Sequence, residues 1–332
     1  QDAEADAGAV LKEVQALLDR KEYEQALKKV TPLADKGNAE ALYVLGRLTL
    51  DGKGVKPSPQ KAAQFFRRAA EAGDIGAQNA WGTMLAAGRG VKRNYQEACR
   101  WFRKAAEQGL AMAQYNLGYQ YASGRGVKKD EKAAEDWFSR AANQGLADAQ
   151  FSLGYVYLNA QGDMQSDTRA VHWFEKAAQQ DHVKAQNNLA FMYAEGRGYA
   201  QDPQKAVYWF TRAAERGYPE AQYSLGLMYE QGRGVPQDYN KAVEWYRKAA
   251  EQNEPAAQYS LGLMYEQGTG VSRDLTEAAR WYRLAAKNGD QDAKAVVRSL
   301  DRKPPAPAKP ASASSDRKKA DRKKGRDSKK NQ

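Results

Sequence analysis

The chain has 332 residues, of which 42% are hydrophobic and 28% are charged, and its formal net charge is +11. This composition excludes a low-complexity chain, and no apolar run approaches the ~18–20 residues that a transmembrane helix needs. The charge is uneven, because residues 301–332 hold 12 Lys or Arg and 4 Asp, a net +8, whereas residues 1–300 carry +3. The single cysteine, Cys99, cannot form an intrachain disulfide, so cysteine usage does not indicate a compartment.

The N-terminal segment, residues 1–8, begins with Gln and is small and polar, which predicts a flexible terminus. Such a start is typical of a chain from which a signal peptide has been removed, and it favours a periplasmic or secreted protein. The alternative is a cytoplasmic chain that has been trimmed at this point. Residues 9–37 carry two apolar stripes at helical spacing, over residues 10–18 and 23–30, which predict a helical pair.

Residues 38–290 repeat with a period of 36 and without an insertion. A fixed period of this length is typical of solenoids, in which each unit covers the apolar side of the next. One aromatic position shows the period most clearly, with Phe65, Trp101, Trp137, Trp173, Trp209, Trp245 and Trp281. We expect this row to pack in the core.

Each unit has the pattern of two helices. The first helix, as over residues 221–229, places apolar residues on one stripe and ends at a Gly-x-Gly-Val loop. Recurring glycines such as Gly118 in this helix predict the close approach of a neighbouring helix or ring, because glycine there costs about 1 kcal/mol. The second helix begins in every unit at an N-cap residue type: Ser58, Asn94, Asp130, Ser166, Asp202, Asp238 and Asp274.

These residues resemble the Sel1-like repeat (SLR) family, a relative of tetratricopeptide repeats. The matching pattern is A-x-A-Q-Y-x-L-G-x-M-Y-x-x-G-x-G-V and then D-x-x-K-A-x-x-W-Y-x-x-A-A-x-x-G, over about residues 38–300. The resemblance implies an all-α fold, a right-handed superhelical α/α solenoid of about seven 36-residue hairpins. An N-terminal helical pair would precede the hairpins, and residues 291–300 would form a capping helix.

The resemblance also implies a function, since known SLR members serve as adaptors and scaffolds in signalling, cell-envelope and host-contact systems. Some bacterial members pair two cysteines in each repeat and bind β-lactams. Only Cys99 is present in this chain, so the resemblance does not extend to that group.

No pattern of catalytic residues is recognisable. The two histidines, His172 and His182, lack a Cys or Ser partner in a known motif, and the Gly-x-Gly-Val loops follow a helix and not a strand. We therefore predict a non-enzymatic protein that uses no cofactor and no metal; an enzyme acting on glycan or peptide is the least favoured alternative. Cys99 stands in a small, apolar row, which favours a packed thiol over a redox role.

The predicted partner site lies on the first helices, on the surface that is concave in tetratricopeptide arrays. Two positions one turn apart vary while the core positions stay fixed, so packing does not dictate them. Exposed aromatics beside an amide indicate a protein- or peptide-binding surface. The predicted residues are Tyr115, Tyr119, Phe151, Tyr155, Asn187, Phe191 and Tyr223. In the alternative, these rings pack between adjacent first helices. Glu230 and Glu266 would add an acidic patch.

Repeat 4 and its neighbours depart from the pattern. Residues 160–164 replace the Gly-x-Gly-Val loop, Ala190 replaces a recurring glycine, and Asp181 and Asn253 replace the closing glycine. The sequence leaves open a local change of superhelix curvature or simple repeat drift.

The C-terminal segment, residues 301–332, is rich in Pro, Ala and Lys and is predicted to be disordered. Its basic clusters would bind a polyanion such as anionic lipid, polysaccharide or cell-wall polymer: Arg317, Lys318, Lys319, Arg322, Lys323, Lys324 and Arg326. Nucleic acid is disfavoured because no aromatic residue interleaves the basic run.

The leading prediction is a protein-binding scaffold of the bacterial envelope; the alternatives are an anchoring module that acts through this tail, or a tail that only aids solubility. The oligomeric state is left open.

Overall fold

The computed structural model describes residues 2–162 and 165–302, in two compact units that meet in the sequence between Ala249 and Ala250. The described residues form α-helices and no strand, so the all-α class is confirmed. No helix among them is long and apolar enough to cross a membrane. The helices are α1 (Asp2–Asp19), α2 (Tyr23–Asp35), α3 (Ala39–Asp51), α4 (Pro59–Glu71), α5 (Ile75–Ala87), α6 (Tyr95–Glu107), α7 (Ala111–Ser123), α8 (Glu131–Asn143), α9 (Ala147–Asn159), α10 (Asp167–Gln179), α11 (Val183–Glu195), α12 (Pro203–Glu215), α13 (Pro219–Gln231), α14 (Tyr239–Glu251), α15 (Pro255–Gln267), α16 (Leu275–Lys287) and α17 (Gln291–Leu300).

The hairpins follow one plan inside each unit. In the first unit, helices from α1 to α12 each pack against the helix that follows in the sequence, and in the second unit α16 packs against α15 and α17. The second helix of every repeat starts at the predicted N-cap, whose side-chain oxygen accepts a hydrogen bond from a backbone N–H of the first turn. All seven predicted caps are therefore confirmed, and each stabilises its helix by about 1 kcal/mol.

The most buried aromatic row of the core is one residue beyond the tryptophan row. Its rings are Phe66, Phe102, Phe138, Phe174, Phe210 and Tyr246 in the first unit, and Tyr282 in the second. The tryptophans pack beside them, but most are only half-buried. Trp137, for example, is covered by the guanidinium of Arg140, which lies 4.5 Å from the ring centroid. The predicted packing role of the tryptophans is confirmed, whereas the most buried position belongs to their neighbours.

The recurring glycine of the first helix meets one of these rings. A Cβ atom built on Gly118 would lie 2.8 Å from a ring carbon of Phe138, which is inside van der Waals contact. The predicted close approach of a ring at this position is confirmed, and it explains why glycine stands here instead of alanine, a better helix former, in every repeat but the fifth.

The two ends of the chain were predicted with different success. Helix α1 begins at Asp2, so the structure places a helix over most of the segment 1–8 that the sequence predicted to be flexible. Alanine, the strongest helix former, holds four of the first nine positions, and the small polar appearance concealed that propensity. The capping helix predicted over residues 291–300 is confirmed as α17. The tail beyond residue 302 lies outside the described residues.

At the junction of repeats 4 and 5, ion pairs of Asp181 take the place of the neutral hydrogen bond found at earlier junctions. Asp181 takes the left-handed conformation of the closing glycine, with φ of 64°. Its carboxylate accepts from Arg212 at 2.7 Å and from Arg216 at 2.8 Å. In repeats 2, 3 and 4 the position of Arg216 holds a glutamine, such as Gln144, whose Nε2 donates to Gln114 at 2.8 Å. Asp181 and Arg216, which both depart from the repeat pattern, are therefore paired with each other.

Candidate functional site

Four large apolar side chains lie exposed on three consecutive first helices of the first unit. Met112 and Tyr119 on α7, Tyr155 on α9 and Phe191 on α11 have exposed fractions of 40%, 45%, 54% and 44%. We call these four residues the aromatic face. Each helix buries its opposite side, as Ala113, Leu117 and Gln120 do on α7, so the helical period leaves these side chains in solvent.

A second row of predicted site residues lies half-buried beneath the aromatic face. Tyr115, Phe151 and Tyr223 each contact the buried ring of their own second helix, with centroid separations of 5.8, 5.8 and 5.7 Å. Burial raises the pKa of Tyr115, and its hydroxyl hydrogen-bonds to Ser152 on the next first helix. The sequence left open whether the aromatic residues of the first helices bind a partner or pack between helices. In the structure this row packs, whereas the row one turn further along each helix is exposed.

Asn187 is not exposed, as the sequence predicted, but buried. Its side chain is buried, with an exposed fraction of 6%, and its Oδ1 has no hydrogen-bond partner among the described residues. Asn187 stands where the neighbouring repeats carry an aromatic ring, so Phe191 takes over the contact with the second helix. The rings of Phe191 and Phe210 meet edge to face at 5.0 Å. The amide therefore lies within the packed layer and Phe191 is both exposed and supported.

Sequence reasoning missed His182 as a neighbour of this site. Its imidazole stacks on Phe151 at 4.6 Å, its Nδ1 accepts the N-cap hydrogen bond from Ala185 N–H at 3.1 Å, and its Nε2 lies 3.3 Å from Asp148. Burial lowers the pKa of His182, although Asp148 opposes the shift. The signal was present in the sequence, since His182 occupies the position at which Asn38 and Asp74 cap their helices.

Each carboxylate of the predicted acidic patch accepts a hydrogen bond from a tyrosine of its own repeat, although Glu266 remains exposed. Glu230 accepts a hydrogen bond from the hydroxyl of Tyr246 in the first unit, and Glu266 accepts one from Tyr282 in the second. Both carboxylates therefore serve the packing of their own repeats.

Reactive chemistry is scarce in the part of the chain that the structure describes. No cluster of three or more His, Cys, Asp or Glu side chains there could hold a metal ion. The thiol of Cys99 is buried and donates to the carbonyl of Arg125 at 3.3 Å, and burial raises its pKa. The predicted packed thiol is confirmed. The predicted polyanion-binding residues between Arg317 and Arg326 lie outside the described residues.

Comparison with known proteins finds the same repeat. The family model for the Sel1 repeat matches seven consecutive segments: residues 39–74, 75–110, 111–146, 147–182, 183–218, 219–254 and 255–290. No curated protein matches the chain.

Two solved structures are similar over most of the chain. A protective antigen with an SLR fold from uropathogenic Escherichia coli strains is 35% identical with a TM-score of 0.77, over 82% of this chain and 59% of that protein. A Sel1 repeat protein from Oxalobacter formigenes is 32% identical with a TM-score of 0.67, over 88% of this chain and 90% of that one. The chain thus spans little more than half of the E. coli antigen.

Proposed function

The chain belongs to the Sel1 repeat family, and we propose that it is a non-enzymatic scaffold that binds a protein or peptide on its aromatic face. Sel1 repeat proteins are generally protein–protein interaction scaffolds and their fold is typically non-catalytic. The observation that carries the choice of site is the exposure of Tyr119, Tyr155 and Phe191 on successive first helices.

The physical argument rests on the cost of exposing apolar surface. Large exposed apolar side chains that lie together mark interaction sites more often than scattered ones do. Tyrosine suits such a site because it offers a large contact area with few rotatable bonds and a hydroxyl that can pair in the complex. The packed row of Tyr115 and Phe151 supports the aromatic face, which reduces the ordering cost of binding.

We further propose that the protein works in the bacterial envelope or outside the cell. The similarity to a protective antigen supports this setting. The basic residues after residue 301 support an additional contact of the tail with anionic lipid, polysaccharide or cell-wall polymer, of a kind that salt would weaken.

A photo-crosslinking experiment tests the proposed site. A benzophenone amino acid at position 155 should capture a protein in the native cell, whereas the same group at position 208 should not. Tyr208 is a suitable control because its side chain is also exposed, by 53%, but lies on a second helix.

The captured partner then allows a measurement of affinity. The double variant Tyr119→Ser/Tyr155→Ser should bind it about 30-fold more weakly, as expected for loss of about 2 kcal/mol at a hot spot. The matched control Tyr208→Ser/Tyr239→Ser removes two exposed rings elsewhere in the first unit and should bind normally. If the control lost affinity and the face variant did not, the proposed site would be wrong.

A further inference from the structure

Three lysines occupy one position of the repeat in the first three hairpins and in no other. Lys56, Lys92 and Lys128 are 36 residues apart, in the loops between first and second helices. The equivalent residues of the four later repeats are Met164, Ala200, Pro236 and Ser272. We call these three lysines the lysine row. All three are exposed, and no ion pair joins any of them to another described residue.

The loops around the lysine row are strongly basic. Residues 52–58, 88–94 and 124–130 together hold eight Lys or Arg and one Asp, a net +7. The equivalent loops of repeats 5 and 6, residues 196–202 and 232–238, hold two Arg and two Asp, which cancel. The one acidic residue of the basic loops, Asp130, accepts the N-cap bond of α8. Two of the eight cations pair with a carboxylate just outside these loops, Lys53 with Asp51 and Lys129 with Glu131, so the unpaired basic charge includes the whole lysine row.

The three loops form one continuous edge of the first unit. A Cβ atom on Gly126 would lie 2.3 Å from the carbonyl oxygen of Tyr95, and one on Gly90 would lie 2.3 Å from that of Pro59. Each loop therefore rests on the start of the preceding second helix. The partial positive charge of those helix N-termini adds to the field of the side chains.

Arg125 connects this edge to the aromatic face. Its guanidinium carbon lies 5.7 Å from the ring centroid of Tyr95 and 5.9 Å from that of Tyr119. Tyr119 belongs to the aromatic face, and Arg93 approaches Tyr95 at 5.8 Å. A ligand that covers Tyr119 is thus within reach of basic loop residues.

A cleft on the same edge contains a buried donor without a partner. It is lined by Trp81, Lys92 and Arg93, by Arg67, which already pairs with Glu71, and by one carboxylate, Glu97, among others. Trp81 has an exposed fraction of 5%, and its indole Nε1–H has no hydrogen-bond partner among the described residues. A buried donor left unpaired costs free energy that an acceptor would recover. A carboxylate is the acceptor that also suits the lysine and arginines.

We propose that the lysine row and its loops bind an acidic segment of the partner protein, while an apolar part of that partner covers the aromatic face. This inference rests on the proposed function and adds the chemistry of the partner. A protein segment is favoured over nucleic acid because Sel1 repeat proteins generally bind proteins, and because the exposed face includes Met112, which offers no stacking surface to a base. Tyr95, the aromatic residue at the edge itself, is already flanked by two guanidiniums and does not offer a free ring for a base.

The test uses the full chain and a random library of 12-residue peptides. Peptides selected on the wild-type protein should be enriched in Asp and Glu and should carry an aromatic or large aliphatic residue. A selection without acidic enrichment would overturn the proposal.

The selected peptide is then synthesised and its affinity measured by fluorescence anisotropy. Lys56→Glu/Lys92→Glu/Lys128→Glu should weaken binding at least about tenfold, and the wild-type affinity should fall steeply with added salt. The control Lys12→Glu/Lys28→Glu/Lys36→Glu makes the same charge change at exposed lysines of α1 and α2 and just beyond, and should bind as wild type. Both variants keep the basic tail, so any contribution of the tail cancels.

The outcomes separate this inference from the proposed function. If the lysine-row variant binds the peptide normally while Tyr119→Ser/Tyr155→Ser does not, the acidic-segment proposal fails and the aromatic face stands. If both variants lose affinity, both proposals are supported. If an oligonucleotide of 20 thymidines, or vesicles of anionic lipid, compete through the lysine row at lower concentration than the peptide, the partner is not an acidic protein segment and the proposal is overturned.

Discussion

Repeats 3 and 5 of the first unit have the same arrangement of core residues, but they differ in the residues that they expose to solvent. Phe138 and Phe210 are both buried on their second helices, and Asp130 and Asp202 cap those helices alike. Their loops differ, because residues 124–130 hold three Lys or Arg and residues 196–202 hold one. The buried ring is constrained because every repeat must fill the same gap, whereas an exposed loop residue is not held by close packing on all sides.

The same contrast exists within a single repeat. In repeat 4, Phe174 is fully buried on α10, and Tyr155 is 54% exposed on α9. Both are aromatic, but the position of Phe174 is aromatic in all seven repeats, whereas the position of Tyr155 is aromatic only in repeats 3, 4 and 5. The difference teaches that a repeated aromatic residue indicates either packing or recognition, and that burial decides between them.

The largest effect is expected from removing the buried ring. Phe174→Ala should lower the free energy of unfolding by about 3–5 kcal/mol, because it leaves a cavity that neighbouring side chains cannot fill. Tyr155→Ala should change it by less than about 0.5 kcal/mol, as is usual at the surface. Urea denaturation followed by circular dichroism measures both. Equal losses would mean that the exposed row is also part of the core.

A smaller effect is expected at the glycine that faces the ring. Helix propensity alone predicts that Gly118→Ala stabilises the protein by about 1 kcal/mol. The methyl group would press against Phe138, so we expect a net loss of about 1–2 kcal/mol from overpacking. Repeat 5 provides the matched reverse change, Ala190→Gly, which should cost about 1 kcal/mol through propensity. A gain of stability in Gly118→Ala would show that the Phe138 ring can move aside without a loss of packing.

The smallest effect is a dependence on pH at the junction of repeats 4 and 5. The pKa of His182 is lowered from its ordinary value of 6.5, so the unfolded chain binds a proton more readily than the folded one. The contribution of His182 to the free energy of unfolding is therefore complete above about pH 6.5, and it declines as the pH falls below that value. Burial of the imidazole is the main cause of the lowered pKa, and a protonated Nδ1 would in addition lose the N-cap bond that it accepts from Ala185 N–H.

His182→Asn is the control for this pH dependence. Asparagine can cap the helix, as Asn38 does for α3, but does not titrate. Thermal unfolding of the variant between pH 5 and pH 8 should show a flatter profile than wild type. An unchanged profile would assign the pH dependence to other groups.

Much of the fold could be predicted because its signals are local. The N-caps depend on one side chain and the next turn of backbone, so Ser58 or Asp274 indicates a helix start without knowledge of the rest of the molecule. The site was predicted less completely. Tyr119 and Tyr155 are exposed as expected, but Asn187 is buried, and the neighbours His182 and Arg125 were not foreseen.

The sequence by itself determined the period, the helix starts and the capping helix, because each follows from residues within about one turn or from exact repetition. Only the tertiary structure decided which of two adjacent aromatic residues is buried, as with Phe102 beneath and Trp101 beside it, and which of two rows on the first helices meets solvent. Those choices depend on the angle at which neighbouring helices pack. That angle arises from contacts between repeats, so a pattern read within one repeat does not contain it.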